Sequence, residues 1–181
     1  MDNDNRGVTL VELIVVIAIL GILAGMLVGG TGYIAGSAAS GLANSLKTAI
    51  GETRIKTMGK QETVLYLYKS SADGKYYKQY IYKNEGTATV AEPPEMIGKH
   101  HPVVEYTFRD PSNPAVLTTQ VLDDTGVLIG FDRRTGKEAV VSAEIGGSSR
   151  DSVICENFSI RGGSRSYNIE IVPATGKISL N

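Results

Sequence analysis

The chain has 181 residues, with 18 basic and 19 acidic side chains, two histidines and a formal net charge of −1. That balance excludes the basic excess of a general nucleic-acid binder, and a lone cysteine, Cys155, excludes an intrachain disulfide. Once the apolar N-terminal part is set aside, about 120 residues remain, enough for one modest core.

The first seven residues, Met1-Asp2-Asn3-Asp4-Asn5-Arg6-Gly7, carry two acids and one base. Removing them leaves acidic and basic side chains balanced. From Leu13 to Gly30 the chain is apolar, and no charged residue follows Glu12 until Lys47. A helix rising about 1.5 Å per residue over this run crosses a hydrocarbon core of roughly 30 Å. Ile14, Val15, Val16, Ile17, Ile19, Leu20, Ile22 and Leu23 surround it on all sides, the pattern of a buried or membrane helix. Glu12 breaks that pattern. An unpaired acid near a bilayer core costs on the order of 2.5–3.5 kcal/mol, less near its boundary. A cut between Gly7 and Val8 supplies a partner, because residues i and i+4 share a helix face and the new Val8 amine then lies near the Glu12 carboxylate. A secretory signal peptide is a poorer reading, since the start is not basic and no good small-x-small cut site follows the apolar run.

The stretch Gly7-Val8-Thr9-Leu10-Val11-Glu12-Leu13, with the apolar run behind it, resembles the N-terminus of type IV prepilins and type II secretion pseudopilins. The resemblance covers about the first thirty residues. It implies that a prepilin peptidase cuts after Gly7, that Val8 becomes the methylated first residue, and that Glu12 serves subunit assembly. Two features depart from the usual pattern: Val8 stands where a phenylalanine is common, and the leader carries two acids and one base where it is usually basic, which weakens the positive-inside signal. The resemblance also implies a single membrane pass with the C-terminal part outside the cytoplasm, followed by an extracellular or periplasmic filament, with other pilin or pseudopilin subunits as partners.

Gly21, Gly25 and Gly29 recur every four residues, a spacing that lets helices approach closely in lipid. Farther on, Ala35, Ala38, Ala39, Leu42, Leu46, Ala49, Ile50 and Thr53 fall on one helical face. Lys47, Glu52, Arg54 and Lys56 fall largely off it, and Gly59 is a plausible stop. Beyond Gly59 the period switches to two. Strands are predicted at 62–69 and 75–83 around an Ala72-Asp73-Gly74 turn, with their tyrosines forming cross-strand pairs. The segment 84–102, with Pro93 and Pro94, is predicted to be a surface loop. Further strands are predicted at 103–109, 115–122, 126–131, 137–143, 152–160, 166–172 and 177–180. Cys155 is expected to be a small buried hydrophobe.

No catalytic motif, phosphate-cradling loop or metal-ligand spacing stands out, so no enzyme activity, cofactor or metal is expected. His100-His101 are adjacent and point apart, and Asp123-Asp124 lack calcium-loop spacing. Arg161-Gly162-Gly163-Ser164-Arg165 reads as a glycine loop with flanking arginines. With Arg133, Arg134 and Lys177 near, it could bind a nucleic-acid backbone, as some FimT-type minor pilins bind DNA; a solvated turn is the plainer reading. The ending from Ile169 to Ile178 is similar to the close of the minor pseudopilin H or FimT-like group.

The expected architecture is α+β and pilin-like. It comprises a leader at 1–7, a transmembrane half-helix at 8–30, an amphipathic half-helix at 31–58, and a β-rich head at 59–181 whose antiparallel sheet packs on the helix. The expected role is a structural filament subunit of the minor type. A DNA-uptake receptor and a plain membrane-anchored surface domain are the alternatives.

Overall fold

The computed structural model describes the backbone of residues 9–59, 61–84, 87–99, 101–110 and 113–181, and the side chains of these except at 26–33, 83–84 and 87–89. The class is α+β, a long N-terminal helix followed by antiparallel strands.

Helix α1, Leu10–Gly59, is 50 residues long and without interruption, about 75 Å at the usual rise. It ends at the expected glycine. Its last turn is tied to the first strand by Thr57, whose buried Oγ1 donates to the Thr63 carbonyl at 3.0 Å and accepts from the Thr63 N–H at 3.3 Å. The predicted apolar face is the face that packs. Ala39, Leu42, Ala43, Leu46, Ala49, Ile50, Thr53 and Thr57 are buried, while Ala35 and Ala38 are half-buried at its rim.

Among the described residues the strands form two five-stranded sheets and a two-stranded ribbon rather than one sheet. The first sheet contains β1 (Glu62–Lys69), β2 (Tyr76–Asn84), β3 (Thr87–Ala91), β4 (Glu95–Gly98) and β7 (Val127–Gly130). Its order is β3-β2-β1-β7, and β4 also pairs with β2. The second contains β5 (Val103–Asp110), β6 (Asn113–Val121), β10 (Cys155–Gly162), β11 (Arg165–Val172) and β12 (Lys177–Leu180), in the order β12-β11-β10-β5-β6. The ribbon is β8 (Ser142–Ile145) with β9 (Ser148–Asp151).

One apolar core joins the helix to both sheets. Leu42, Leu46 and Ile50 meet Leu65, Leu67, Tyr76 and Tyr80 from the first sheet, and Val104, Phe158, Ile160 and Ile169 from the second. A second cluster covers the far face of the first sheet, where Val64, Tyr66 and Ile81 pack under Val141 and Ala143. Thus β1 is buried on both faces, Leu65 and Leu67 toward the helix and Val64 and Tyr66 away from it.

Three predicted elements are corrected. The 84–102 loop contains β3 and β4, which occupy the free side of β2 through register shifts at Tyr82/Asn84 and Tyr76/Tyr77; Pro93 and Pro94 sit in the break between them, as prolines can on an edge. The predicted strand at 137–143 is instead a strap. Glu138 bridges Phe131, Ala139 bonds Gly130, and the Val141 N–H goes to the Ser152 hydroxyl at 2.8 Å. Pairing resumes only in β8. The predicted strand at 152–160 begins only at Cys155, as β10, because Ser152 is used to bond the strap, and β9 before it was not predicted.

Candidate assembly face of the N-terminal helix

From Thr9 to Gly25 every described side chain is exposed. Eleven large apolar residues lie between Leu10 and Leu23, with exposures from 50% at Val15 to 75% at Leu10. Covering them is worth on the order of 10–20 kcal/mol by the usual area coefficient. The first part of α1 is therefore a surface that demands an apolar partner, and the head does not supply it. Nothing approaches a Cβ position at Gly21 or Gly25 within 4 Å apart from the helix itself, so that flank is open. Gly29 belongs to the helix, but its side-chain surroundings lie outside the described residues. Among the described residues no helix is long and apolar enough to cross a membrane; the remainder of the apolar run falls at 26–33, whose side chains are not described.

Gly7 and Val8, the expected cut and methylation site, lie outside the described residues. Glu12 lies just inside them, and its partner in the single chain is one the spacing argument missed. The Thr9 N–H donates to Glu12 Oε2 and the Glu12 N–H donates to Thr9 Oγ1, both at 3.3 Å. This is a reciprocal capping box, with Thr9 as N-cap and Glu12 at the third helical position. The Thr-x-x-Glu spacing at 9–12 was the available signal. The box turns the carboxylate back toward the N-terminal end of the helix, against Thr9.

The charged residues of the second half of α1 flank the packed face and clamp the head. Glu52 accepts from the Tyr80 hydroxyl at 2.5 Å, and the Lys56 ammonium lies 3.6 Å over the Tyr80 ring. Arg54 donates to the carbonyls of Gly136 at 2.9 Å and Thr175 at 3.1 Å, joining two turns at the far end of the helix. Burial, and next the Glu52 hydrogen bond, push the Tyr80 phenol well above its ordinary range.

The basic residues are not brought together. Arg161 and Gly162 end β10, Arg165 begins β11, and only Gly163 and Ser164 form the turn, with Gly163 at φ 61°. This is a tight hairpin, not an open loop. Arg161 is ion-paired to Glu105, and Arg165 lies across Gly36 of the helix. The Gly136 and Gly176 turns, beside which Arg134 and Lys177 stand in sequence, lie against Arg54. Gly36 and Arg54 are about 27 Å apart along the helix. No cluster of metal-ligating side chains occurs among the described residues. His100 falls outside them, and Asp123 is occupied in its own turn, accepting from the N–H and hydroxyl of Thr125 at 3.0 and 2.6 Å. Tyr68 stacks on its cross-strand partner Tyr77 with centroids 5.5 Å apart, the pairing expected from sequence.

Residues 2–28 match the family model of the prokaryotic N-terminal methylation motif. The match supports a type IV prepilin-like protein. It covers the capping box and the exposed apolar start of the helix. No curated protein and no solved structure matches the chain. The helix and strand content is consistent with a pilin-like fold.

Proposed function

We propose that the chain is a structural subunit, of the minor pilin or pseudopilin kind, in a type IV pilus-like or type II secretion-like filament. On this reading it is not an enzyme but the substrate of one: a prepilin peptidase removes 1–7, cutting between Gly7 and Val8, and Val8 is methylated. The observation that carries the proposal is the methylation motif over 2–28 leading into a helix exposed at its start and embedded in the head beyond Ala39.

The mechanism follows from the two halves of α1. Before assembly the apolar half resides in the cytoplasmic membrane, with the head outside the cytoplasm. Assembly exchanges lipid for the helices of neighbouring subunits, with Gly21, Gly25 and Gly29 allowing close approach. Glu12 then meets a Val8 amine, its own or a neighbour's, in a low-dielectric setting where the pair satisfies both charges. The ending from Ile169 to Ile178 favours the minor pseudopilin H or FimT-like group. The DNA-binding alternative loses ground because Arg161 is already paired with Glu105.

The test is intact-mass and N-terminal peptide mass spectrometry on protein recovered from cells, with the sheared surface fraction analysed separately. The expected chain starts at methylated Val8 and occurs in the sheared fraction. A chain starting at Met1, or cut after the apolar run, overturns the proposal. Glu12→Ala separates a filament subunit from a plain anchored domain, since only the former loses its sheared fraction.

A further inference from the structure

Strand β7 is the last strand of the first sheet, paired with β1 on one side. Its other edge is closed by irregular chain. The Gly130 carbonyl accepts from the Ala139 N–H and the Leu128 carbonyl from the Val153 N–H, both at 3.0 Å, and Phe131 forms a bridge with Glu138. Covering an edge with a loop is one way a sheet is kept from pairing further. The same strap lays Val141, 8% exposed, on Val64, Ile81 and Leu128 of the sheet's far face.

Two residues pin the strap. Ser152 holds one end: its hydroxyl accepts from the Val141 N–H at 2.8 Å and donates to the Ala139 carbonyl at 3.0 Å. Glu138 holds the other: its N–H donates to the Pro173 carbonyl at 3.1 Å, and its Oε1 accepts from the Cys155 N–H at 2.7 Å. Only the second pin can ionise. Its buried Oε2 has no hydrogen-bond partner. The groups around it do not favour a charge. From β10 come Glu156, which opposes ionisation and is itself paired with Arg109, and the Cys155 thiol, kept protonated by burial. The Pro173 turn presents a backbone carbonyl and β7 leads to the apolar ring of Phe131. In the turn before the strap, Asp132 is occupied by Arg134 and Thr135. Arg133, Arg134 and Lys137 are exposed, and no cation pairs with Glu138 among the described residues.

We infer that Glu138 is a proton latch: while its carboxyl is protonated the strap stays shut over the edge of β7, and when it ionises the strap lifts with the rest of the head still folded. A buried carboxylate with one hydrogen bond and no counter-ion is relieved by reaching water. The strap is the short segment that can carry it there, because a few bonds and no continuous ladder hold it. Burial raises the carboxyl from 4.5 to about 8. The closed strap is therefore favoured at acid pH, and its opening becomes easier by about tenfold per pH unit across that window. The inference concerns the head alone and does not depend on the filament reading.

The test is amide hydrogen exchange on the full chain in detergent from pH 5 to 8.5, with rates corrected for the intrinsic effect of pH. The amides of Ala139, Val141 and Cys155 report the strap, and those of Leu65 and Leu67 in β1 report unfolding of the whole head. The strap's opening constant is expected to rise close to tenfold per pH unit and to stay about a hundredfold or more above that of β1. Glu138→Gln is expected to abolish the rise and keep the strap shut at pH 8. Ser152→Ala is expected to raise strap opening by a similar factor at every pH and keep the slope, because it removes the pin that does not titrate. Strap opening in the parent chain that does not change with pH overturns the inference. So does a single opening constant shared by the strap and β1, because the proton then belongs to the whole head. Both readings come from the parent chain and stand even if a variant fails to fold.

Discussion

Glu138 is a buried acid with no cation paired to it among the described residues. The residue is 7% exposed, its Oε1 accepts from the Cys155 N–H at 2.7 Å, and its Oε2 has no hydrogen-bond partner. Burial raises its carboxyl to about 8, and the nearby Glu156 charge pushes the same way, while the Cys155 N–H acts against both. The folded state therefore holds a proton that the unfolded state, with a carboxyl near 4.5, releases. The stability this proton supplies is fully present below pH 4.5 and is lost as pH rises toward about 8, at close to 1.4 kcal/mol per pH unit. The total loss is on the order of 5 kcal/mol, a large part of the stability of a domain this size. Glu138→Gln keeps the shape and an acceptor for Cys155 but cannot ionise. The variant should match the parent within about 1 kcal/mol near pH 4.5 and exceed it by several kcal/mol at pH 8–9. Denaturant unfolding of the full chain in detergent, followed by tyrosine fluorescence and near-ultraviolet circular dichroism across that range, gives the difference curve. Other titrating groups cancel in that difference. A flat difference between variant and parent refutes the reasoning, because it means that Glu138 is solvated or paired in solution.

Gly162→Ala should destabilise the head by about 1–3 kcal/mol, because a methyl there meets the Ala35 carbonyl and the Ala39 side chain; Gly41→Ala, with nothing within 4 Å, should be neutral or stabilising by up to about 1 kcal/mol, and both are read from denaturation midpoints. Cys155, fully buried with its thiol held protonated by that burial, should react with a maleimide at neutral pH only after denaturant is added. Arg54→Ala should cost about 1–2 kcal/mol and speed hydrogen exchange in the turns at Gly136 and Thr175, with Arg54→Lys restoring only part because one ammonium replaces a forked donor. Thr9→Ala should fray the first turn of α1 at a local cost of about 1 kcal/mol, seen as faster amide exchange there, without moving the unfolding midpoint of the head.

Sequence periodicity located the second half of the helix almost residue by residue, because Leu42, Leu46, Ala49 and Ile50 face a core with nothing else to satisfy them. The same logic found β1, β2, β5 and β10, strands whose buried residues leave a clear pattern. It failed where burial comes from an unusual direction. The segment from Glu138 to Val141 has strand-like residues, but it crosses the face of a sheet and spends its hydrogen bonds on Gly130, Pro173 and Ser152. Strands β3 and β4 were hidden by prolines that are harmless at an edge. The division into two sheets was also invisible, since antiparallel strands read alike in either. At the N-terminus the Glu12 position was legible and its partner was not: the i, i+4 spacing points to a Val8 amine, whereas the Thr9-x-x-Glu12 spacing forms a cap within the single chain.

That cap bears on how one residue can serve two states. An exposed capping box is worth roughly 0.5–2 kcal/mol, enough to hold the first turn of α1 together and to occupy an acid that otherwise faces an apolar surface alone. It is also weak compared with a carboxylate–amine pair formed away from water. On the proposed reading Glu12 can therefore stay with Thr9 while the subunit is solitary and exchange that bond for an amine at little cost when helices gather. Where the amine is the chain's own, the exchange is local, because Val8 and Thr9 are consecutive in the chain. The head need not change for it, since among the described residues its contacts with α1 begin near Ala35, about 35 Å along the helix from Glu12.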